Sequence, residues 1–290
     1  MKILLIGSSG YIGGAVSRSL DLAGHAVVPM LRPSSRDGGQ RTGHEVRYGD
    51  LTDPNSLRVA VAAGIDGVVH VGAPLEDWSA DASAVGAMLT ALRPGGVFVY
   101  LSGTWVLGHS TVGALDESAP VAPARIVAGR HLVERAVLDS TRRGVVIRAG
   151  IVHGLGGGIP RMLVEWADAD GRGRYVGDDS SPSWATVHVE DLAELVTLAV
   201  AGAGAGTVLH GVTEPSVSVK AIAQAADLAA GGTGDARRWP VMEASAELGA
   251  DFAEALALTQ NVVAPAARAL GWRPFRPTIV DDLREGSYGR

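Results

Sequence analysis

Residues 1–14, MKILLIGSSGYIGG, decide the fold of this chain. The run Lys2–Ile6 is short and apolar, which is typical of a strand buried on both faces of a sheet. It ends at Gly7, and Gly10 and Gly13 follow at intervals of three residues. The residues after Gly13 can continue as a helix. The stretch therefore predicts a strand, a glycine turn and a helix in succession.

The three glycines of this turn have different physical roles. Gly7 permits a tight turn, Gly10 lets a ligand approach the backbone, and Gly13 allows the helix to pack closely on the strand. The first N–H groups of the helix carry partial positive charge, which favours the pyrophosphate of a dinucleotide. We expect the dinucleotide to contact Gly7, Ser9, Gly10, Tyr11, Ile12 and Gly13.

Length and charge limit the classes of function. A chain of 290 residues can form one α/β domain with an appendage, or two small domains. Its net charge of −6 argues against non-specific binding to nucleic acids or anionic membranes. No apolar run approaches the length of a membrane span, and the first one is too short for a secretory signal. We expect a cytoplasmic protein with a small-molecule substrate, and a homodimer is left open.

The residue types present exclude several kinds of site. The chain contains no cysteine, which excludes disulfides, thiolate catalysis and zinc sites with cysteine ligands. No spacing of histidine and acidic residues indicates a metal site, so no metal is expected. Alanine and glycine are abundant, which fits helices packed closely on a sheet.

A positively charged residue follows the second predicted strand, residues 26–31. This residue is Arg32, and Ser34 and Arg36 come shortly after it. In a βαβ unit the end of this strand faces the adenosine ribose, where an acid bonds a 2′-hydroxyl and an arginine suits a 2′-phosphate. No acid stands here, so we expect NADP(H) rather than NAD, held by Arg32, Ser34 and Arg36. The alternative that both arginines are solvated loop cations stays open.

Strands and helices alternate through the first half of the chain. Further strands are predicted at residues 46–48, 67–71, 97–101 and 145–148, and helices at 55–63, 80–92 and 132–142. This alternation is typical of an α/β fold with a doubly wound parallel sheet. Two strand ends are expected to contact the cofactor, through Asp50 and Leu51 at the adenine and through Val71, Gly72 and Ala73 along its length.

Beyond Gly150 the pattern loosens. Helices are predicted at residues 159–169, 189–201 and 217–229, a strand at 207–210, and a helical tail at 244–290 that is interrupted by a turn at residues 271–274, with a polar, glycine-rich stretch up to Ser183. We expect residues 1–150 plus about 185–212 to form a dinucleotide-binding Rossmann core. Residues 151–184 plus 213–290 are expected to form a smaller C-terminal cap that binds substrate above the strand ends.

Five stretches carry a family resemblance. Residues 7–13, GSSGYIG, match a TGxxGxxG motif, and Asp50 with Leu51 matches an adenine-side acid. Residues 101–108, LSGTWVLG, resemble S-S-x-x-V-Y-G; residues 148–154, RAGIVHG, resemble RPxxVYG; and residues 187–193, VHVEDLA, resemble VHVxDLA. On these motifs the chain resembles an extended, atypical short-chain dehydrogenase/reductase of the NAD-dependent epimerase/dehydratase type. The resemblance implies the doubly wound fold and a nicotinamide cofactor.

The resemblance ends at the catalytic pair of that family, a Tyr-x-x-x-Lys sequence. In the family the lysine lowers the pKa of the tyrosine, which exchanges a proton as hydride moves. Alignment on Glu134 puts Arg130 at the lysine position and Ile126 at the tyrosine position. The sequence contains no Tyr-x-x-x-Lys, and its only lysines are Lys2 and Lys220. The resemblance therefore implies cofactor binding without the standard acid.

Other residues are candidates to replace this pair. The family's serine or threonine aligns with Gly103, which leaves Ser102 and Thr104 on either side to bond a substrate oxygen or to cap the strand end. Arg130 can hold the cofactor ribose, with Ser102 nearby, or lie on the helix surface, but it cannot act as an acid at neutral pH. His188 is a candidate proton donor, although a helix-start role explains it better. We predict a substrate pocket walled by Trp105, Ile126, His153 and Trp184.

Three functions stay open from the sequence. The first is an NADP-dependent oxidoreductase that reduces a small, fairly apolar carbonyl, enone or imine, with the proton coming from water, a histidine or the substrate. The second is a non-redox NADP sensor that recruits a partner, and the third is a redox-neutral lyase, cyclase or isomerase on the same fold. Loss of the tyrosine favours the second and third, whereas retention of the cap favours an enzyme. We place the reductase first.

Overall fold

The structure is a computed structural model that describes residues 1–34, 45–62, 64–72, 77–110, 113–178 and 181–289. The predicted contacts of Arg36 and Ala73 lie outside these residues.

The strands are β1 Lys2–Ile6, β2 Ala26–Leu31, β3 Arg47–Tyr48, β4 Gly67–His70, β5 Val97–Gly103, β6 Arg143–Ala149, β7 Ile151–His153, β8 Gly173–Val176, β9 Ser183–His188, β10 Thr207–Gly211, β11 Glu214–Ser218 and β12 Ala236–Trp239. The helices are α1 Tyr11–Leu22, α2 Pro54–Val61, α3 Trp78–Ala91, α4 Arg130–Leu138, α5 Gly158–Asp170, α6 Val189–Gly202, α7 Val219–Ala229, α8 Val241–Leu248, α9 Ala250–Leu256, α10 Pro265–Ala269 and α11 Ile279–Glu285. None of the helices in the described ranges is long and apolar enough to span a membrane.

Seven parallel strands form the central sheet, in the order β10-β6-β5-β4-β1-β2-β3. The chain runs outward from β1 through β2 and β3, and it returns to the other side of β1 for β4, β5 and β6. The strand order therefore reverses between β1 and β4, where such sheets leave a crevice at the carboxyl ends of their strands. The predicted doubly wound α/β fold is confirmed.

Helices cover both faces of this sheet, which explains why its inner strands are almost continuously apolar. On one face α1 and α6 share a core with Leu5 and Val99. On the other face α2, α3 and α4 pack with Leu4 and Phe98. Because successive side chains of a strand point to opposite faces, the buried residues of β1 and β5 need apolar or small side chains on both faces.

The later part of the chain adds a second, smaller core. β7, β9 and β11 form a three-stranded sheet in the order β11-β9-β7, and β8 pairs with β12. Together with α5, α7 and α11 these strands bury Tyr175, Trp184 and Tyr288. The chain enters this second core through β7, which begins two residues after the end of β6.

The second core differs from the sequence-based expectation. The sequence predicts no strand between residues 170 and 188, but β8 and β9 lie there and pair with β12 and β11. The predicted helical tail is also wrong in part, because an extended segment separates α9 from α10 and inserts Gln260, which is 1% exposed. The predicted turn at residues 271–274 lies between α10 and α11, and its Trp272 is 0% exposed. Short strands whose partners are distant in sequence leave little local signal.

Candidate cofactor and substrate site

A cleft of about 420 Å³ opens at the reversal in strand order, above the carboxyl ends of β1, β4, β5 and β6. The glycine turn before α1 forms one wall, and the start of α4 lies in the opposite wall. Residues 149–152 and the start of α5 close it toward the second core. This is the position at which open α/β sheets bind ligands.

The glycine turn is too compact for side chains at two positions. Gly7 has a φ of +84°, and a Cβ there would lie 2.7 Å from the backbone of Gly72. A Cβ on Gly13 would lie 1.9 Å from the carbonyl oxygen of Gly7, so the helix packs on the turn where no side chain fits. The N–H of Gly10 donates to the same carbonyl at 3.0 Å and closes the turn.

Helix α1 begins without a side-chain cap. Its N-cap residue is Gly10, and its first turn contains no acidic residue. Gly10, Tyr11, Ile12 and Gly13 line the cleft, whereas Ser9 is exposed in the same turn outside the lining. Uncapped N–H groups at a helix start attract anions. The turn therefore fits the diphosphate of a dinucleotide.

The adjoining ends of β2 and β3 bring Arg32 near Asp50. Arg32 is exposed, as is Ser34 beyond it. The pKa of Asp50 lies below its ordinary value because the N–H and hydroxyl of Thr52 bond its carboxylate, at 2.9 and 2.7 Å, and the charge of Arg32 adds to this effect. Leu51 packs partly against the core under α2. The adenine contact of Asp50 and Leu51 stays a prediction.

The end of β4 contributes Val71 and Gly72 to the cleft. His70 precedes them and is 1% exposed, and its Nδ1 accepts the N–H of Gly72 at 3.2 Å. Burial, with a smaller effect of the nearby Arg130 charge, lowers the pKa of His70 to about 4. His70 is therefore neutral at pH 7, as the hydrogen bond from Gly72 requires.

Arg130 lines the cleft at the start of α4. Its Nη2 donates to the carbonyl of Leu101 at 3.1 Å, and its guanidinium stands 5.8 Å from the centre of the Tyr100 ring. The ion pairs of the described residues do not include Arg130. Its guanidinium can therefore meet a ligand in the cleft, which favours this alternative over a position on the helix surface; its contact with the cofactor ribose stays a prediction.

Ser102 and Thr104 both line the cleft, but their hydroxyls differ. The Thr104 hydroxyl lies 2.9 Å from Oε1 of Gln260, whose Nε2 donates to the carbonyls of Thr104 and Gly108, each at 2.8 Å. Carbonyls only accept, so the amide orientation is fixed and Thr104 must donate to Gln260. Thr104 therefore cannot donate to a substrate oxygen while this bond holds. Ser102 Oγ has no hydrogen-bond partner among the described residues.

Sequence reasoning missed Gln260, which lies 156 residues from Thr104. It follows α9 in one of the extended segments of the tail, where the sequence predicts a helix. A lone glutamine has no motif around it, so no local signal indicates that it reaches the cleft wall.

Four residues predicted as pocket wall or proton donor do not line the cleft, namely Ile126, His153, Trp184 and His188. The Nδ1 of His188 accepts the N–H of Glu190 at 3.2 Å, which is the helix-start role. The Nδ1 of His153 lies 3.1 Å from Oδ2 of Asp282, and the indole of Trp184 donates to a backbone carbonyl at 3.0 Å. The geometry gives these three side chains structural partners and no support for chemistry in the cleft.

The substrate end of the cleft is walled by apolar side chains. Trp105 lies there as predicted, and its ring packs edge-on against Phe252 of α9 at 6.3 Å between centroids. Sequence reasoning missed the other wall residues, although the RPxxVYG-like stretch contains two of them. They are Val127, Ile151, Val152 and Ile159.

Comparison with known proteins agrees with this geometry. The model of the NAD dependent epimerase/dehydratase family matches residues 3–209. An uncharacterised protein of Schizosaccharomyces pombe is 28% identical over 304 residues, covering 99% of this chain and 100% of that protein. The 2-alkyl-3-oxoalkanoate reductase of Stenotrophomonas maltophilia is 32% identical over 203 residues, covering 62% of this chain and 60% of that protein.

Solved structures show the same architecture. The human epimerase family protein SDR39U1, crystallised with NADPH, superposes with a TM-score of 0.78 at 22% identity, covering 99% of both chains. At this level of identity the likeness concerns the fold. Together with the family match, which spans the whole central sheet except the last residues of β10, it confirms the resemblance first indicated by the glycine turn. This chain belongs to the NAD-dependent epimerase/dehydratase family of extended, atypical short-chain dehydrogenases/reductases.

Proposed function

We propose that this protein is an NADP(H)-dependent oxidoreductase that reduces a small, mostly apolar carbonyl, enone or imine. The observation that carries the proposal is the composition of the single continuous cleft described above. Its lining combines an uncapped helix start, apolar side chains and the guanidinium of Arg130, which is outside the ion pairs of the described residues. This combination of groups suits a dinucleotide whose nicotinamide meets an apolar substrate.

The position of Arg32 supports NADP(H) over NAD. The exposed guanidinium follows β2 directly, where the adenosine ribose lies in βαβ units. A guanidinium there can bond a 2′-phosphate in a bidentate manner. The NADPH in the human SDR39U1 structure supports the same choice.

Several groups of this chain can bind and orient the reactants. NADPH, when bound, supplies a hydride. Arg130 stays charged and holds ribose hydroxyls or a substrate oxygen, and the Ser102 hydroxyl, which also lines the cleft, has no hydrogen-bond partner among the described residues. Thr104 supports the wall through Gln260 and can only accept.

Among the residues that the structure describes, the lining of the cleft contains no side-chain acid that is free to supply a proton to the substrate. Tyr11 is a cleft residue, but its hydroxyl donates to the carbonyl of Gly154 at 2.8 Å. We therefore propose that water or the substrate supplies the proton. Reduction of an activated C=C or C=N bond relies less on an acid than reduction of a ketone does. The name of the Stenotrophomonas relative, an oxoalkanoate reductase, supports a reductive reaction.

Stereospecifically deuterated NADPH tests the proposal when supplied with a panel of enones, imines and aldehydes. We expect deuterium in the product and one NADPH oxidised for each product molecule formed. Turnover without cofactor consumption would instead indicate a redox-neutral lyase, cyclase or isomerase. Tight NADPH binding without turnover of any compound would favour a sensor.

A further inference from the structure

The loop of residues 154–158 follows β7 and includes Gly158, the first residue of α5, and it has little conformational preference of its own. Four of its five residues are glycine, and Gly154, Gly156 and Gly158 have positive φ. Leu155 also has a positive φ of 51°, which is unfavourable for a residue with a side chain. Such a loop samples many backbone conformations unless other parts of the chain hold it.

The last residues of the chain hold this loop through hydrogen bonds. The hydroxyl of Tyr288 accepts the N–H of Gly154 at 2.8 Å and donates to the carbonyl of Gly157 at 2.6 Å. The hydroxyl of Ser287 accepts the N–H of Gly156 at 2.9 Å. Three backbone groups of the loop are thus bound by two consecutive side chains.

Asp282 fixes the segment that carries these two side chains. Its Oδ1 accepts the N–H and the hydroxyl of Ser287, both at 3.2 Å. Its Oδ2 lies 3.1 Å from Nδ1 of His153, which directly precedes the loop. Asp282 and Tyr288 are 4% and 1% exposed, so water competes little for these bonds.

The glycine turn contacts the loop from the opposite side. The hydroxyl of Tyr11 donates to the carbonyl of Gly154 at 2.8 Å. A Cβ on Gly157 would lie 2.5 Å from the Tyr11 ring, so the ring and the loop backbone are in close contact. Burial raises the pKa of both Tyr11 and Tyr288, and both phenols therefore keep the protons that they donate.

We infer that Tyr288 is a positioning residue, which holds the loop of residues 154–158 against Tyr11 and so fixes the shape of the dinucleotide cleft. Tyr11 and Gly158 both line that cleft, so a shift of the loop changes the cleft at the glycine turn and at the start of α5 together. The consequence for affinity rests on the proposed NADP(H) binding, whereas the ordering of the loop does not.

Tyr288→Phe tests the inference, because it keeps the ring and removes both hydrogen bonds of the hydroxyl. We expect amide hydrogen exchange of residues 154–158 to become roughly tenfold faster in the cofactor-free protein. We expect the Kd for NADPH to rise about five- to tenfold, measured well below the unfolding temperature. If this variant does not fold, Ser287→Ala is the alternative, because it removes the bond to Gly156 at an exposed side chain. We expect its changes in the logarithms of the exchange rate and of the Kd for NADPH to be about half those of Tyr288→Phe.

Two controls separate positioning from general stability. Tyr175→Phe removes a hydroxyl from the same core away from the cleft and should change neither readout. Asp227→Ala removes the carboxylate that accepts the N–H groups of Gly234 and Asp235, at 2.8 and 3.1 Å, so it should lower Tm without changing NADPH affinity. The inference is overturned if Tyr288→Phe leaves exchange unchanged, or if Asp227→Ala weakens NADPH equally. Should the wild type not bind NADPH, the proposed function fails and the exchange result alone decides the role of Tyr288.

Discussion

The two ends of the cleft are built in different ways. At the phosphate end, the turn and helix start come from residues 7–13, and the closest contact joins Gly13 to the carbonyl of Gly7. In the rest of the cleft, Thr104 is fixed by Gln260, and the loop after His153, which contacts Tyr11, is fixed by Tyr288. A site made from neighbours in sequence carries a motif, whereas a site made from distant contacts carries none. A sequence therefore indicates the cofactor-binding turn more readily than the residues that shape the rest of the site.

The largest expected effect comes from Gly13→Val at the phosphate end. Even the first carbon of a side chain would lie 1.9 Å from a backbone oxygen, and neither the turn nor the helix start can yield without losing its geometry. We expect loss of detectable NADPH binding and a lower free energy of unfolding by at least about 3 kcal/mol. Fluorescence titration and urea unfolding measure the two effects.

Gly14→Ala is the matched control for this substitution. A Cβ on Gly14 meets only the end of the flexible Arg18 side chain, at 3.7 Å. NADPH affinity and stability should therefore stay close to those of the wild type. Equal binding by Gly13→Val and Gly14→Ala would show that the turn does not hold the dinucleotide.

Gln260→Leu tests the contact that fixes Thr104 in the cleft wall. It leaves the carbonyls of Thr104 and Gly108 buried without their donor, and we expect the free energy of unfolding to fall by about 2–4 kcal/mol. Urea unfolding measures this, with Asn261→Ala at the next position as the control, expected within about 0.5 kcal/mol of the wild type. A change in Gln260→Leu as small as that of the control would mean that Gln260 does not support the wall.

The same contrast explains how much could be predicted from the sequence. β1, β4, β5 and β6 are apolar runs buried on both faces, so their presence and the doubly wound order follow from pattern and spacing. β8 reads GRYV and β9 reads SWATVH, so polar or small residues interrupt both strands and leave no continuous apolar run to predict them. At the site, Ile126 and His153 show the limit of sequence-based prediction. Each is next in sequence to a residue that lines the cleft, Val127 or Val152, and a motif alignment cannot tell which of two neighbouring residues faces the cleft.

Arg32→Ala sharpens the comparison at the adenosine end. Loss of a charged hydrogen-bond donor to a 2′-phosphate should weaken NADPH binding about 10- to 100-fold and change NADH binding by less than about twofold. Parallel titrations with the two cofactors give the ratio. Arg58→Ala, which removes an exposed arginine bonded to Asn55 in α2, should alter neither. Equal losses for NADPH and NADH would remove the argument for a 2′-phosphate contact.

The smallest effect concerns His70, whose burial at the end of β4 makes the stability of the protein depend on pH. Its pKa is about 4 in the folded protein because it is buried, against an ordinary value of 6.5, so between these values the unfolded chain binds the proton that the folded chain refuses. Stability is therefore full above pH 6.5 and falls as the pH decreases, by at most about 1.4 kcal/mol per pH unit from this residue. His70→Asn keeps an acceptor for the N–H of Gly72 and should flatten the slope of unfolding free energy between pH 6.5 and 5 by about that amount. His188 and His210, whose pKa values burial also lowers, leave a residual slope in both proteins. An unchanged slope in His70→Asn would mean that His70 takes up its proton in the folded state, and that the floor of the cleft is open to water at the end of β4.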